Sequence, residues 1–98
     1  MPTLQHRGCA LHYDLAGEGE PIVWIQGMGL HGAGWKPQVD DFRRDHCCLT
    51  FDNRGMSRSQ PASANLSIGQ MADDVIALMD HVGFSHAHLV GHSMGGLI

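Results

Sequence analysis

The chain has 98 residues, 43 % apolar and 16 % charged, and a formal net charge of −4. These proportions describe a globular polypeptide and exclude a disordered tail, and 6 Lys plus Arg against 10 Asp plus Glu leave no cationic footprint for nucleic acid. No apolar run approaches the roughly 20 residues of a membrane-spanning helix, and residues 1–7 lack the apolar core of a signal peptide, so a cytoplasmic location is expected.

Residues 9–15 alternate apolar and polar side chains and are expected to form an outer strand, followed by the turn-rich 16–21. Ile22-Val23-Trp24-Ile25 is a short continuous apolar run, the pattern of a strand buried on both faces. A glycine-dense loop spans 27–34. Trp35, Val39 and Phe42 then recur at i, i+4, i+7, with Pro37 placed for a first turn, which predicts a short amphipathic helix over 35–44. Residues 46–51 are a second buried strand, followed by a polar loop to Leu66. Ser67 with Gln70 three residues on predicts a capping box. Ile68, Met71, Val75, Leu78, Met79 and Val82 make one helical stripe, which Gly83 closes. Residues 87–90 are a third buried strand, which turns sharply through 91–96. Cys47 and Cys48 are adjacent and the cysteine count of 3 is odd, so these are expected to be strand residues and no disulfide framework.

Strands alternating with helices predict βαβ units with right-handed crossovers, hence an α/β fold: a mostly parallel sheet with helices on both faces. About three strand-plus-helix units are fewer than an open α/β sheet with a usable cleft generally has, so residues 1–98 are expected to be the N-terminal part of one larger domain.

Gly91-His92-Ser93-Met94-Gly95 matches the G-x-S-x-G nucleophile elbow, in which a serine occupies a strained strand-to-helix turn that lifts its Oγ clear of the sheet. The glycines are needed because a side chain at either position would clash with a neighbouring strand or helix. An apolar strand precedes the motif, as the elbow requires. Together with residues 22–29 and with Asp52-Asn53-Arg54-Gly55, the elbow resembles the α/β-hydrolases, and the resemblance extends over the whole chain. It implies the N-terminal portion of an α/β-hydrolase sheet. It also implies that Ser93 is a catalytic nucleophile for carboxylic ester, lactone or related acyl bonds and that no cofactor is needed. The backbone N–H groups of Met94 and Met28 would form the oxyanion hole. Gln26 stands where the family commonly has His, which is expected to alter the bracing of the loop and to leave the hole intact. Ser57 stands where Gly is usual. The partner implied is a small ester-like substrate, with no nucleic acid and no membrane.

In this fold the triad acid and histidine follow the nucleophile in the chain, and only Met94, Gly95, Gly96, Leu97 and Ile98 follow Ser93. His92 should point away from Ser93 Oγ across the elbow, and nothing in the sequence orients His31. Residues 1–98 alone are therefore expected to be inactive. Two other readings stay open. Gly27, Gly29 and Gly32 make a literal G-x-G-x-x-G after a buried strand, with Asp52 at the end of the next strand, as in a dinucleotide-binding oxidoreductase. The other is an α/β-hydrolase-like binding module without turnover, and isolated residues 1–98 are expected to self-associate along an exposed sheet edge. For Asp52 and Arg54 a turn stabilised by a local charge pair is the plainer expectation. His86 and His88 point to one strand face, but a metal needs three or four ligands and no metal site is assigned.

Overall fold

The computed structural model of the chain describes residues 2–27, 32–54, 59 and 67–98. Five strands form one sheet: β1 (Thr3–His6), β2 (Cys9–Ala16), β3 (Glu20–Ile25), β4 (His46–Phe51) and β5 (His88–Gly91), in the spatial order β1-β2-β4-β3-β5. The sheet is mixed. β3 runs parallel to β4 and to β5, whereas β2 is antiparallel to both β4 and β1. β2 is thus an interior strand, and the edge position expected for it belongs to β1. No apolar run announces β1; it exists because Arg7 and Gly8, with φ of 46° and 82°, make a two-residue hairpin turn that registers His6 opposite Cys9.

Each βαβ crossover covers one face. A 3-10 turn (Gly32–Trp35) leads into α1 (Lys36–Phe42), with Pro37 in its first turn, and Trp35 and Val39 pack on Ile22, Trp24 and Cys48. On the opposite face α2 (Ile68–Val82) lays Val75 and Leu78 over Leu11, Val23, Ile25, Leu49 and Phe51. Consecutive β3 residues therefore enter different cores, which is why the 22–25 run is continuous rather than alternating. The three cysteines are free, Cys9 in β2 and Cys47 and Cys48 in β4.

The ends of α2 are closed by local chemistry. Ser67 Oγ accepts from the Gln70 N–H at 3.0 Å. The reciprocal half of the capping box is not made: Gln70 Nε2 donates instead to Asp74 Oδ1 at 3.1 Å. At the other end Gly83 takes φ 85°, the Phe84 N–H donates to Met79 O, and the Gly83 N–H donates to Asp80 O, a Schellman motif. Among the described residues no helix is long and apolar enough to cross a membrane.

A buried ion pair joins the two ends of the chain's first 74 residues. Arg54 donates from Nε to Asp74 Oδ2 at 3.0 Å and from an Nη to Asp74 Oδ1 at 2.9 Å, and both side chains are almost wholly buried. Two further donors reach the carbonyls of Arg7 and His6, at 3.0 and 2.8 Å. The Arg54 charge is thereby met by a residue 20 positions on, which corrects the expectation of a local turn pair with Asp52. The hydrogen bond to Asp74 raises the Arg54 guanidinium above its ordinary value. Around this pair, His6 Nε2 lies 3.0 Å from Asp73 Oδ2 and Arg7 Nε lies 3.1 Å from the same oxygen.

Two outcomes are expected. Arg54→Met leaves the Asp74 carboxylate buried without its cation and should cost about 3–5 kcal/mol in denaturant unfolding, whereas Arg54→Met combined with Asp74→Leu should cost less than Arg54→Met alone. The hydrogen bond from His6, aided by Arg7, holds the Asp73 carboxyl below its ordinary range. A lowered folded-state pKa stabilises above the unfolded value and is lost as pH falls through the folded one. The stability gap between wild type and Asp73→Asn should therefore hold at pH 5–7 and close below about pH 4, measured by urea unfolding across pH.

Candidate active site

The C-terminal ends of β3, β4 and β5 lie side by side, with Ile25 registered against Gly91. Beyond β5 the chain passes through His92 and enters a 3-10 turn (Ser93–Gly96). Ser93 has φ 56°, in the left-handed region, where a residue with a side chain costs about 1–2 kcal/mol. Its side chain is exposed.

The conformation is imposed by its neighbours. The His92 N–H donates to Ile25 O at 3.0 Å, the Gly95 N–H to His92 O at 2.9 Å and the Leu97 N–H to Met94 O at 2.9 Å. A Cβ added to Gly91 would lie 2.6 Å from Gly95 O, and one added to Gly95 would collide with Ile25 O and lie 2.7 Å from Ile25 C. The glycines of the motif are therefore demanded by close approach of backbone to backbone. Gly27 faces the elbow from just past the end of β3: a Cβ there would stand 3.2 Å from Ser93 Cβ and 3.7 Å from Met94 N. His92, at the base of the turn, presents its ring edge-on to Trp35, with centroids 6.5 Å apart.

Of the residues predicted to act, Ser93, Met94, Gly91, His92 and Gly95 are brought together in one turn. Met28 lies outside the described residues, as do Gly29, His31, Gly55 and Ser57. Gln26 is buried, and its Nε2 donates to Phe51 O at 2.6 Å. Asn53 Nδ2 donates to Gln26 O at 3.2 Å, and the Gly32 N–H donates to Asp52 Oδ1 at 2.8 Å. These last contacts weigh against the dinucleotide reading. Asp52 is wholly buried with a carboxylate oxygen turned onto the backbone, so it is not offered to a ribose. Helix α1 begins at Lys36, well past the second glycine of G-x-G-x-x-G, where a dinucleotide-binding helix would start.

Asn53 and Asp74 were not singled out by sequence. Asp74 carried a signal, since it sits three residues after Met71 and four before Leu78 on the buried stripe of α2, where an acid is out of place without a cation. His86 and His88 approach Glu20 Oε2 at 3.5 and 4.0 Å on the surface, and among the described residues no group of three His, Cys, Asp or Glu is arranged to hold a metal.

Residues 20–98 match the alpha/beta hydrolase fold family. The chain belongs to that family. It is 34 % identical over 98 residues to a protein of Azorhizobium caulinodans that bears the name carbamate hydrolase RutD, covering 100 % of this chain and 37 % of that one. Among solved structures it is similar to Est816, described as an N-acyl homoserine lactone degrading enzyme, with a TM-score of 0.94 and 35 % identity over 99 % of this chain and 38 % of the other. It is also similar to the enol-lactonase of Burkholderia xenovorans LB400, with a TM-score of 0.92 and 33 % identity over 98 % of this chain and 38 % of the other. The chain thus spans a little over a third of the length of these α/β-hydrolase relatives.

The crowding at the elbow gives a test. Gly95→Ala should destabilise by about 1–3 kcal/mol, because its methyl must displace the end of β3. Gly96→Ala, where an added Cβ meets nothing within 4 Å, should change stability by no more than about 0.5 kcal/mol in the same unfolding experiment.

Proposed function

We propose that Ser93 is the nucleophile of a serine hydrolase acting on carboxylic ester, lactone or related acyl bonds. The observation that carries this reading is the left-handed Ser93, exposed at the end of a parallel strand and faced by the Gly27 backbone. Strain of this kind persists only where the surroundings over-determine it, and it clusters at reacting groups.

The chemistry follows from the position. Ser93 Oγ would attack the carbonyl carbon as its proton passes to a histidine base, and the tetrahedral oxyanion would be met by the N–H of Met94 and of Met28. Collapse expels the alkoxide, protonated by the same histidine, and leaves an acyl-serine. Water, deprotonated by that histidine, then attacks the acyl carbon, releases the acid and restores Ser93. The acid and histidine would be supplied by chain beyond residue 98, and residues 1–98 would be the N-terminal part of that single domain. The names of the relatives support the substrate class, because a carbamate, a homoserine lactone derivative and an enol lactone all offer an acyl carbon joined to a heteroatom. Isolated residues 1–98 would be inactive, since loss of the base in a serine triad costs on the order of a million-fold. They would also self-associate along β5, which pairs only with β3 among the described strands and leaves Leu89 60 % exposed.

The test is covalent labelling. The product of the complete reading frame should react with a fluorophosphonate ester at Ser93, located by peptide mass spectrometry, and Ser93→Ala should abolish both labelling and ester turnover. Labelling confined to another residue, or ester turnover that survives Ser93→Ala, would overturn the assignment.

A further inference from the structure

We propose that Gln26 and Asn53 are positioning residues for the Ser93 reaction, a crossed pair of carboxamide hydrogen bonds that holds the Gln26–Gly27 peptide against the elbow. The proposal rests on the reading of Ser93 as nucleophile.

The paired register of β3 and β4 ends at Trp24 opposite Thr50. Past that point two side chains continue the connection, each reaching the other strand's backbone: Gln26 Nε2 to Phe51 O at 2.6 Å and Asn53 Nδ2 to Gln26 O at 3.2 Å. Both side chains are buried, at 2 % and 1 % exposure. Their orientation is settled by the acceptors, because only the amide nitrogen can donate to a carbonyl. Among the described residues, Gln26 Oε1 and Asn53 Oδ1 are then left buried with no partner.

An unpaired buried acceptor is destabilising, because it has given up its hydrogen bonds to water. Apolar side chains of the same shape would remove these two oxygens but free the Phe51 and Gln26 carbonyls, so the two effects offset and stability does not by itself account for the carboxamides. Their placement accounts for them better. The carbonyl that Asn53 holds belongs to the peptide whose next residue is Gly27, and Gly27 approaches the elbow so closely that an added Cβ would stand 3.2 Å from Ser93 Cβ and 3.3 Å from His92 O. On the other side the His92 N–H is bonded to Ile25 O at 3.0 Å. Backbone 25–27 is therefore gripped by the elbow that follows β5 and by Asn53, just beyond β4. Rotation of the Gln26–Gly27 peptide would be transmitted directly to Ser93, and a misplacement on the order of 1 Å can cost a hundredfold in rate.

The experiment uses Gln26→Met and Asn53→Leu in the product of the complete reading frame. Each substitution removes one unpaired oxygen and frees at most one backbone carbonyl, so melting temperatures should stay within about 3 °C of wild type. The fluorophosphonate inactivation rate constant at Ser93 should fall at least tenfold in both variants, with the concentration giving half-maximal rate unchanged. Labelling of both variants within twofold of wild type overturns the proposal. So does a parallel loss of melting temperature and labelling in both, which would make the pair purely structural. Failure of the wild-type protein to label at Ser93 is a separate result, and it would bring down the nucleophile assignment together with this proposal.

Discussion

The buried Arg54–Asp74 pair is the constraint on which the described structure most depends. A guanidinium removed from water must find an opposite charge and hydrogen-bond its donors, and Arg54 uses one carboxylate and two carbonyls. Asp74 fixes α2, while the carbonyls of His6 and Arg7 fix the β1–β2 turn. β1 would not be placed by apolar packing alone, since it contributes only Leu4 to the core and only partly buries it. A cation at the end of β4 thus binds the antiparallel hairpin to the helix on the same face. Such a pair adds little net stability relative to an apolar pair, but it penalises any arrangement that separates the partners, and so it selects one arrangement.

The same end of the sheet carries the site. Parallel strands β3, β4 and β5 deliver their C-terminal ends to one edge, where side chains turn from packing to hydrogen bonding of loops. Residues 51–54 serve four purposes in succession: the Phe51 carbonyl receives Gln26, Asp52 receives the Gly32 N–H, Asn53 holds the Gln26 carbonyl, and Arg54 binds α2. The strand end that organises the fold is therefore continuous with the one that braces the backbone facing Ser93.

Strand and helix positions were legible where burial follows a period. The 22–25 run and the 46–51 run are β3 and β4, which flank α1 in the chain, and the Met71, Val75, Leu78 stripe is the buried face of α2. The elbow was legible for a different reason, because the two glycines at fixed spacing around the serine are forced by steric crowding that a sequence records directly. β1 left no trace, since its pairing depends on the left-handed Arg7 and Gly8 turn and on a register with β2. Half of the capping box is formed: Ser67 caps, while the Gln70 side chain turns along the helix, where its Nε2 donates to the buried Asp74 carboxylate.

By itself the sequence determined the α/β class, the order of its central elements and the strained serine, because hydrophobic period and glycine spacing are local properties of the chain. Only the tertiary structure decided the partners of the buried polar groups. Arg54 joins Asp74 across 20 residues, Asp52 turns inward onto Gly32, and Gln26 and Asn53 cross between strands. Those pairings depend on which donors and acceptors are excluded from water together, and that is set by how strands and helices stack, not by spacing along the chain.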